Sequence, residues 1–241
     1  MAKRSRKYLE AFEKVDRTRE YNPEEAMSLV KETSYTNFDG TVELHLRTGL
    51  DPRRSDQSIR GIVRLPNGLG VPVRVLVFAS GEAAQVAEEA GADYVISGDE
   101  GIQKISDGWV DFDVAIAIPE MMRHVGRLGR ILGPRGLMPT PKTGTVVQPD
   151  DLPRVIDEAK AGRVEYRLDR SGNIHCPIGK VSFSDEDLLG NMAAIMTAIR
   201  RARPPAVSRG GYLRRVTLAA TMGPGVKVDT SAAYSMEQSA A

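Results

Sequence analysis

Between residues 71 and 161, short and almost wholly apolar runs alternate with helical segments, and this block sits inside flanks patterned by a different rule. Residues 73–77 read as a strand, 82–90 as a helix with Gly91 at its exit, Tyr94–Ile96 as a second strand, 100–106 as a short helix and 114–118 as a third strand. Glycine just past a helix supplies the left-handed stop. Pro119-Glu120 opens another helix, proline being tolerated in a first turn, and 149–161 is a helix that carries the chain back out. Strands that are apolar along their whole length need cover on both faces, so the block predicts a small parallel sheet between helices.

The flanks are half exposed instead. Asn22-Pro23-Glu24-Glu25 is a helix start, with an N-cap and proline in the first turn. Residues 41–47 alternate, with Val42, Leu44 and Leu46 on one face and Thr41, Glu43, His45 and Arg47 on the other, the period of a strand with one wet face. Residues 163–168 and 174–183 predict a hairpin around Asp169-Arg170-Ser171-Gly172-Asn173. Ser184 caps a helix carrying Leu188, Met192, Ile195, Met196 and Ile199 at helical spacing, ended by Pro204-Pro205. The last predicted strand, 212–220, turns Val216, Leu218 and Ala220 inward and Arg215, Thr217 and Ala219 outward. Neither flank makes a full core alone. The expected layout is therefore a discontinuous domain, 1–70 plus 160–241, interrupted by an inserted domain, 71–159. The Gly-containing crossings at 66–70 and 161–162 suit a hinge.

Charge follows the same division. The total is 33 Lys+Arg against 32 Asp+Glu, a net +1, which, if evenly spread, would argue against a nucleic-acid partner. By segment it is +2 in 1–70, −6 in 71–159 and +5 in 160–241. The near-zero sum is a cancellation, and such asymmetry points to different partners for different domains. A single cysteine rules out an intrachain disulfide framework or a multi-thiolate zinc site, and it fits a reducing cytosol. No run of about 18 apolar residues could cross a membrane. The basic N-terminus lacks the apolar segment of a secretory signal.

The stretch 128–144, LGRILGPRGLMPTPKTG, mixes glycine with basic residues. Backbone N–H groups can approach a phosphate where side chains are absent; the alternative is an ordered surface loop packed by Leu132, Leu137 and Met138. It matches neither GxGxxG nor GxxxxGK[ST]. Arg130, Arg135 and Lys142 within it, and Arg123 and Arg127 just before it, are the candidate phosphate contacts. Catalytic patterns are thin: there is no GxSxG and no HExxH. His45, His124 and His175 are far apart in sequence, and Cys176 on a strand is expected to be inert. If the strands after Phe38 and before Thr221 are neighbours, then Phe38, Thr41, Thr217, Thr221 and Met222 share one side. Hydroxyls and an aromatic suit RNA, whose wide minor groove presents 2′-hydroxyls, with Arg47, Lys180 and Arg215 for phosphate. The alternative is a solvated sheet edge with Phe38 folded into the core.

The segments DPRRSDQ (51–57) and GADYV (91–95), the block LGRILGPRGLMPTPKTGTV and the closing TMGP resemble the bacterial L-one family of large-subunit ribosomal proteins, over roughly residues 8–228. The resemblance implies an α/β protein, with an α+β split domain that binds large-subunit ribosomal RNA and an inserted, Rossmann-like, three-layer α/β domain. It implies a non-enzymatic protein of the ribosome in the cytoplasm, forming a mobile stalk that assists release of deacylated tRNA from the exit site. It also implies repression of its own messenger RNA, no cofactor, no metal, no membrane partner and a monomer when free. RNA contact is carried onto Asn37, Phe38, Thr221, Met222 and Gly223; Asn37 stands where the family commonly has a basic residue, and offers a hydrogen bond in place of a charge. The competing reading is a phosphate- or nucleotide-using enzyme built on the β/α insert, against which the missing glycine fingerprint weighs. The Ser/Ala-rich tail, 231–241, lies outside the resemblance and is expected to be disordered.

Overall fold

The structure, a computed structural model, describes residues 4–205 and 207–236. In chain order the helices are α1 (Arg6–Glu13), α2 (Pro23–Glu32), α3 (Glu82–Glu89), α4 (Asp99–Ser106), α5 (Met122–Val125), α6 (Gly129–Arg135), α7 (Leu152–Lys160), α8 (Asp185–Arg201), α9 (Arg209–Tyr212) and α10 (Thr230–Ser235). The strands are β1 (Thr41–Thr48), β2 (Arg60–Arg64), β3 (Val75–Phe78), β4 (Tyr94–Ile96), β5 (Val114–Ala117), β6 (Arg163–Arg167), β7 (Asn173–Lys180), β8 (Leu213–Ala220) and β9 (Val226–Val228). The fold class is mixed α/β. Among the described residues, those up to Gly70 with those from Val164 onward form one compact unit, and Val71–Arg163 form the other.

The split unit is built on an antiparallel sheet in the order β7-β1-β8-β9. Its inner face presents Leu44, Leu46, Ile174, Ile178, Val216 and Leu218, all essentially out of water. Helix α8 lays Leu188, Met192, Ile195 and Ile199 into the same core, and α2 adds Met27 and Val30. Each such side chain contributes about 1.5–3 kcal/mol of transfer free energy. The Ser184 hydroxyl accepts from the Asp187 N–H and starts α8 where the sequence places it. At α2, Asn22 stands in the cap position but its side chain makes no cap bond. Asn191, fully buried on α8, donates to the Gly68 and Ile178 carbonyls and accepts from the Asn67 N–H. It thereby holds the loop that leads out of this unit.

Three expectations for the flanks are corrected. The predicted hairpin is only a turn: Asp169 accepts from the Ser171 and Asn173 N–H groups, but β6 leaves to pair with β2 while β7 pairs with β1. Strand β8 is not the last, since β9 adds to its free edge. The expected disorder from 231 onward does not hold through 236. Asp229 caps α10, accepting from the Ser231 and Ala232 N–H groups, and Ala233 is buried. A cap and one small buried residue suffice for a six-residue helix, which Ser/Ala composition alone does not reveal. Residues 237–241 lie outside the described residues.

The inserted unit has the parallel sheet order β4-β3-β5. Strand β3 is buried at all four positions, with α3 and α7 packed against it. Here the first half of the glycine-rich block is helical where a loop was expected, while Leu132, Leu137 and Met138 do pack it against the core. From Pro119 the chain winds through short 3-10 and α turns into α6. Met121, Val125, Leu128 and Leu132 recur every three or four residues and are buried, the stripe of an amphipathic helix. Gly126, Gly129 and Gly133 face open space, which hid the periodicity without interrupting it. No helix among the described residues is long and apolar enough to cross a membrane.

Candidate nucleic-acid interface

The outer face of the split unit's sheet has no layer of apolar residues. Register places His175, His45, Thr217 and Lys227 in one row across β7, β1, β8 and β9, and Asn173, Arg47 and Arg215 in the next. At the opposite end of β1 the sheet closes on a compact cluster. The Thr41 N–H donates to Thr221 Oγ1 over 2.9 Å, and the Thr221 N–H returns a bond to the Thr41 carbonyl. Lys180 Nζ donates to Thr41 Oγ1 at 3.0 Å. Thr41, Thr221 and Lys180 are thus one hydrogen-bonded group, drawn from three strands or their ends.

Two exposed apolar side chains flank this group. Phe38 is 61% exposed and Met222 is 67% exposed, so Phe38 is not folded into the core. Their loops are joined, because the Tyr35 hydroxyl donates to the Met222 carbonyl at 2.8 Å. Asp39 fixes the first loop from its other side by accepting from the Ser182 N–H and hydroxyl. Met222 is also the one non-glycine at positive φ among the described residues, at 65°. It occupies the third position of a turn closed by the Gly223 N–H on the Ala220 carbonyl, where a left-handed conformation costs a side-chain-bearing residue about 1–2 kcal/mol. Strain and apolar exposure coincide at Met222, and neither stabilises the free protein. Asn37 is exposed and its side chain bonds to no described residue.

Lys180 reaches the cluster through an irregularity in β7. Glu43 pairs with Pro177 but Val42 pairs with Gly179, which leaves Ile178 as an extra residue. Side chains alternate along a strand, so one inserted residue reverses the faces of everything beyond it. Without it Lys180 would point into the core. Gly179 permits the bulge: its φ is 151°, and a β-carbon there would stand 2.8 Å from Leu188 Cδ2 and 2.9 Å from Phe183 Cδ2.

The remaining predicted contacts do not join this group. Thr217 lies four residues from Thr221, about 13 Å along β8, and Arg215 about 20 Å away. Arg215 has its own setting. It pairs directly with Arg47 across the strands, both exposed, and neither makes an ion pair with a described residue. Like charges placed opposite one another are unfavourable in the free protein, and an anion between them would relieve it. In the inserted unit, Arg127, Arg130, Arg135 and Lys142 are all exposed and likewise without an ion pair to a described residue.

Sequence reasoning passed over two features. Nothing in the neighbours of Tyr35 signals a bond to a residue 187 positions away. The bulge at Ile178 could have been suspected from Pro177 and Gly179, residues that interrupt regular pairing. Cys176 is buried, and burial pushes its thiol up to about 12, so it stays protonated and unreactive at neutral pH.

Residues 30–224 match the Ribosomal protein L1p/L10e family. The chain is 58% identical over 98% of its length to the whole of the large ribosomal subunit protein uL1 of Chloroflexus aggregans. It is 57% identical, with the same coverage, to the uL1 protein of Chloroflexus aurantiacus. With the uL1 protein of Thermomicrobium roseum it shares 55% identity over 96% of this chain and 95% of the relative. The chain belongs to the L1p/L10e family of ribosomal proteins, which is structural and not enzymatic.

Proposed function

We propose that the chain is a constituent of the large ribosomal subunit that holds ribosomal RNA with the split unit, through the end of the sheet formed by Thr41, Lys180 and Thr221 and flanked by Phe38, Met222 and Gly223. The observation that carries this reading is Met222, strained and exposed together, with its loop fastened to that of Phe38 by Tyr35. An edge of hydroxyls flanked by two exposed apolar side chains fits the sugars of an RNA minor groove. Lys180, and farther along the face Thr217, Arg47 and Arg215, supply the salt-dependent part.

The division of labour extends to the insert. Its unpaired Arg127, Arg130, Arg135 and Lys142, with Arg123, suit the phosphates of a tRNA leaving the exit site, while the acidic stretch 71–122 disfavours the RNA held by the other unit. Repression of the protein's own messenger follows if that messenger copies the ribosomal site; its support is the family resemblance. The test is binding of the full chain to a large-subunit ribosomal RNA fragment. Thr221→Val and Met222→Ala each weaken it about tenfold or more with an unchanged salt slope. Arg130→Ala and Arg135→Ala leave it within about twofold and weaken tRNA binding instead. The reverse pattern rejects the assignment, and a gel shift on the protein's own leader transcript tests repression separately.

A further inference from the structure

Two of the three histidines, 130 residues apart in the chain, meet ring to ring on the open face of the sheet. Strands β1 and β7 set His45 opposite His175; their Nδ1 atoms are 2.8 Å apart and their ring centroids 5.0 Å, at an interplanar angle of 65°. Each far nitrogen faces a carboxylate. Glu43 Oε2 is 3.5 Å from His45 Nε2, and Asp169 Oδ2 is 3.6 Å from His175 Nε2. Both imidazoles are reached by solvent, at 30% and 53% side-chain exposure.

Two imidazole nitrogens at this separation cannot both present lone pairs, so something positive must lie between them. In the neutral pair one proton does so. One ring is then the Nδ1–H tautomer, and its Nε2 is left bare opposite a carboxylate, lone pair against anion. A cation in place of that proton removes the conflict. Both rings become Nε2–H tautomers, both Nδ1 lone pairs point at the cation and both N–H groups point at carboxylates. Metal-bound histidine is held in this way, its second nitrogen donated to a carboxylate that fixes the ring and raises its basicity.

We infer that His45 and His175 form a site for a borderline transition-metal dication of the Zn²⁺, Ni²⁺ or Cu²⁺ class, held between their Nδ1 atoms. Imidazole nitrogen selects these ions over Mg²⁺ and Ca²⁺, which take oxygen. Tetrahedral coordination at Zn–N distances of about 2.0–2.1 Å places two nitrogens about 3.3 Å apart, so the rings need to part by about half an ångström and tilt until both Nδ1 lone pairs converge on the metal. Among the described residues no set of three or more His, Cys, Asp or Glu side chains could hold a metal, so water completes the sphere and the site stays open on one side. The nearby carboxylates of Glu43 and Asp169 offset Arg47, two positions along β1, and Lys227, two strands across the row.

The experiment titrates the metal-free full chain with zinc chloride at pH 7.5, by calorimetry and by NMR of the histidine rings, with no RNA in any arm. Saturation at one Zn²⁺ per chain is expected, with the His45 and His175 ring signals moving together and those of His124 unmoved. His45→Gln and His175→Gln each abolish that saturation, Glu43→Gln weakens it about tenfold, and His124→Gln leaves it unchanged. Failure of the wild type to saturate, movement of one ring alone, or one-to-one binding that survives either glutamine variant overturns the site. The wild-type NMR titration decides the matter even if a variant does not fold, and it is independent of whether the face binds RNA.

Discussion

In the inserted unit Arg74 is tied to Asp111 and Asp113, and Arg154 to Asp151 and Glu158, whereas in the split unit Arg47 and Arg215 stand opposite one another with no acid between them. The sheets differ in the same sense. The insert's parallel sheet is apolar along its strands and covered by helices, while the split unit's antiparallel sheet buries one face and leaves the other polar. Residues that satisfy one another stabilise a fold, and residues left unsatisfied on an open face are available to a ligand. Among the described residues of the insert, Arg123, Arg127, Arg130, Arg135 and Lys142 of the glycine-interrupted stretch lack an acid, as does Lys104 on α4, so the insert too keeps a run of basic residues in reserve.

The largest effect is expected where the open face is constructed. Gly179→Val forces a β-branched side chain to φ 151° and into Leu188 and Phe183. It should cost about 2–4 kcal/mol in urea unfolding and remove RNA binding with it; full stability would show that the bulge is not needed. Met222→Gly separates function from folding. It relieves the left-handed strain, so thermal stability rises by the equivalent of about 1 kcal/mol while affinity for ribosomal RNA falls at least about fivefold. A variant that is stabilised and still binds normally would make Met222 an incidental feature of the turn. Arg47→Ala or Arg215→Ala should weaken binding only several-fold but make the salt slope shallower by about one unit, and an unchanged slope would place the phosphates elsewhere.

The smallest effect concerns one of the split unit's own ion pairs. Lys31 donates to Asp185 at 2.7 Å, as does the Ser28 hydroxyl, and together they lower the Asp185 carboxyl below its ordinary value. A carboxyl lowered on folding contributes stability above its unfolded pKa and loses it as pH falls through the lower folded value. The pair is partly exposed, so Asp185→Asn should cost no more than about 1 kcal/mol at pH 7. The gap between wild type and variant should close in acid, and a gap independent of pH would mean that packing rather than charge is involved.

What was legible in the sequence followed periodicity. The alternation of 41–47 sorted Thr41 from Val42 correctly, and the spacing of Leu188, Met192, Ile195 and Ile199 gave α8 and its inner face. Partner choice was not legible: the segments around Asp169 look like a hairpin, yet β6 and β7 go to different sheets, because pairing is decided by which edges are free. Glycine concealed how far the helix that opens at Pro119 continues: the stripe begun by Met121 and Val125 runs on through Leu128 and Leu132, because packing enforces a pattern that glycine's low propensity argues against. At the site, Phe38, Thr221 and Met222 could be suspected from residue type. The strain at Met222, the Tyr35 tether and the His45–His175 contact depend on register, which local sequence does not encode.

The extra residue at Ile178 has a consequence for comparing this chain with its relatives. Every outward side chain of β7 beyond it owes its direction to an odd count of residues, so the length of the strand is as much a part of the surface as its composition. A relative that kept Lys180 and Thr41 but lacked one position between them would align well and carry the lysine on the wrong side of the sheet. At this place a gap in an alignment outweighs a substitution, and counting residues predicts the face better than identity does.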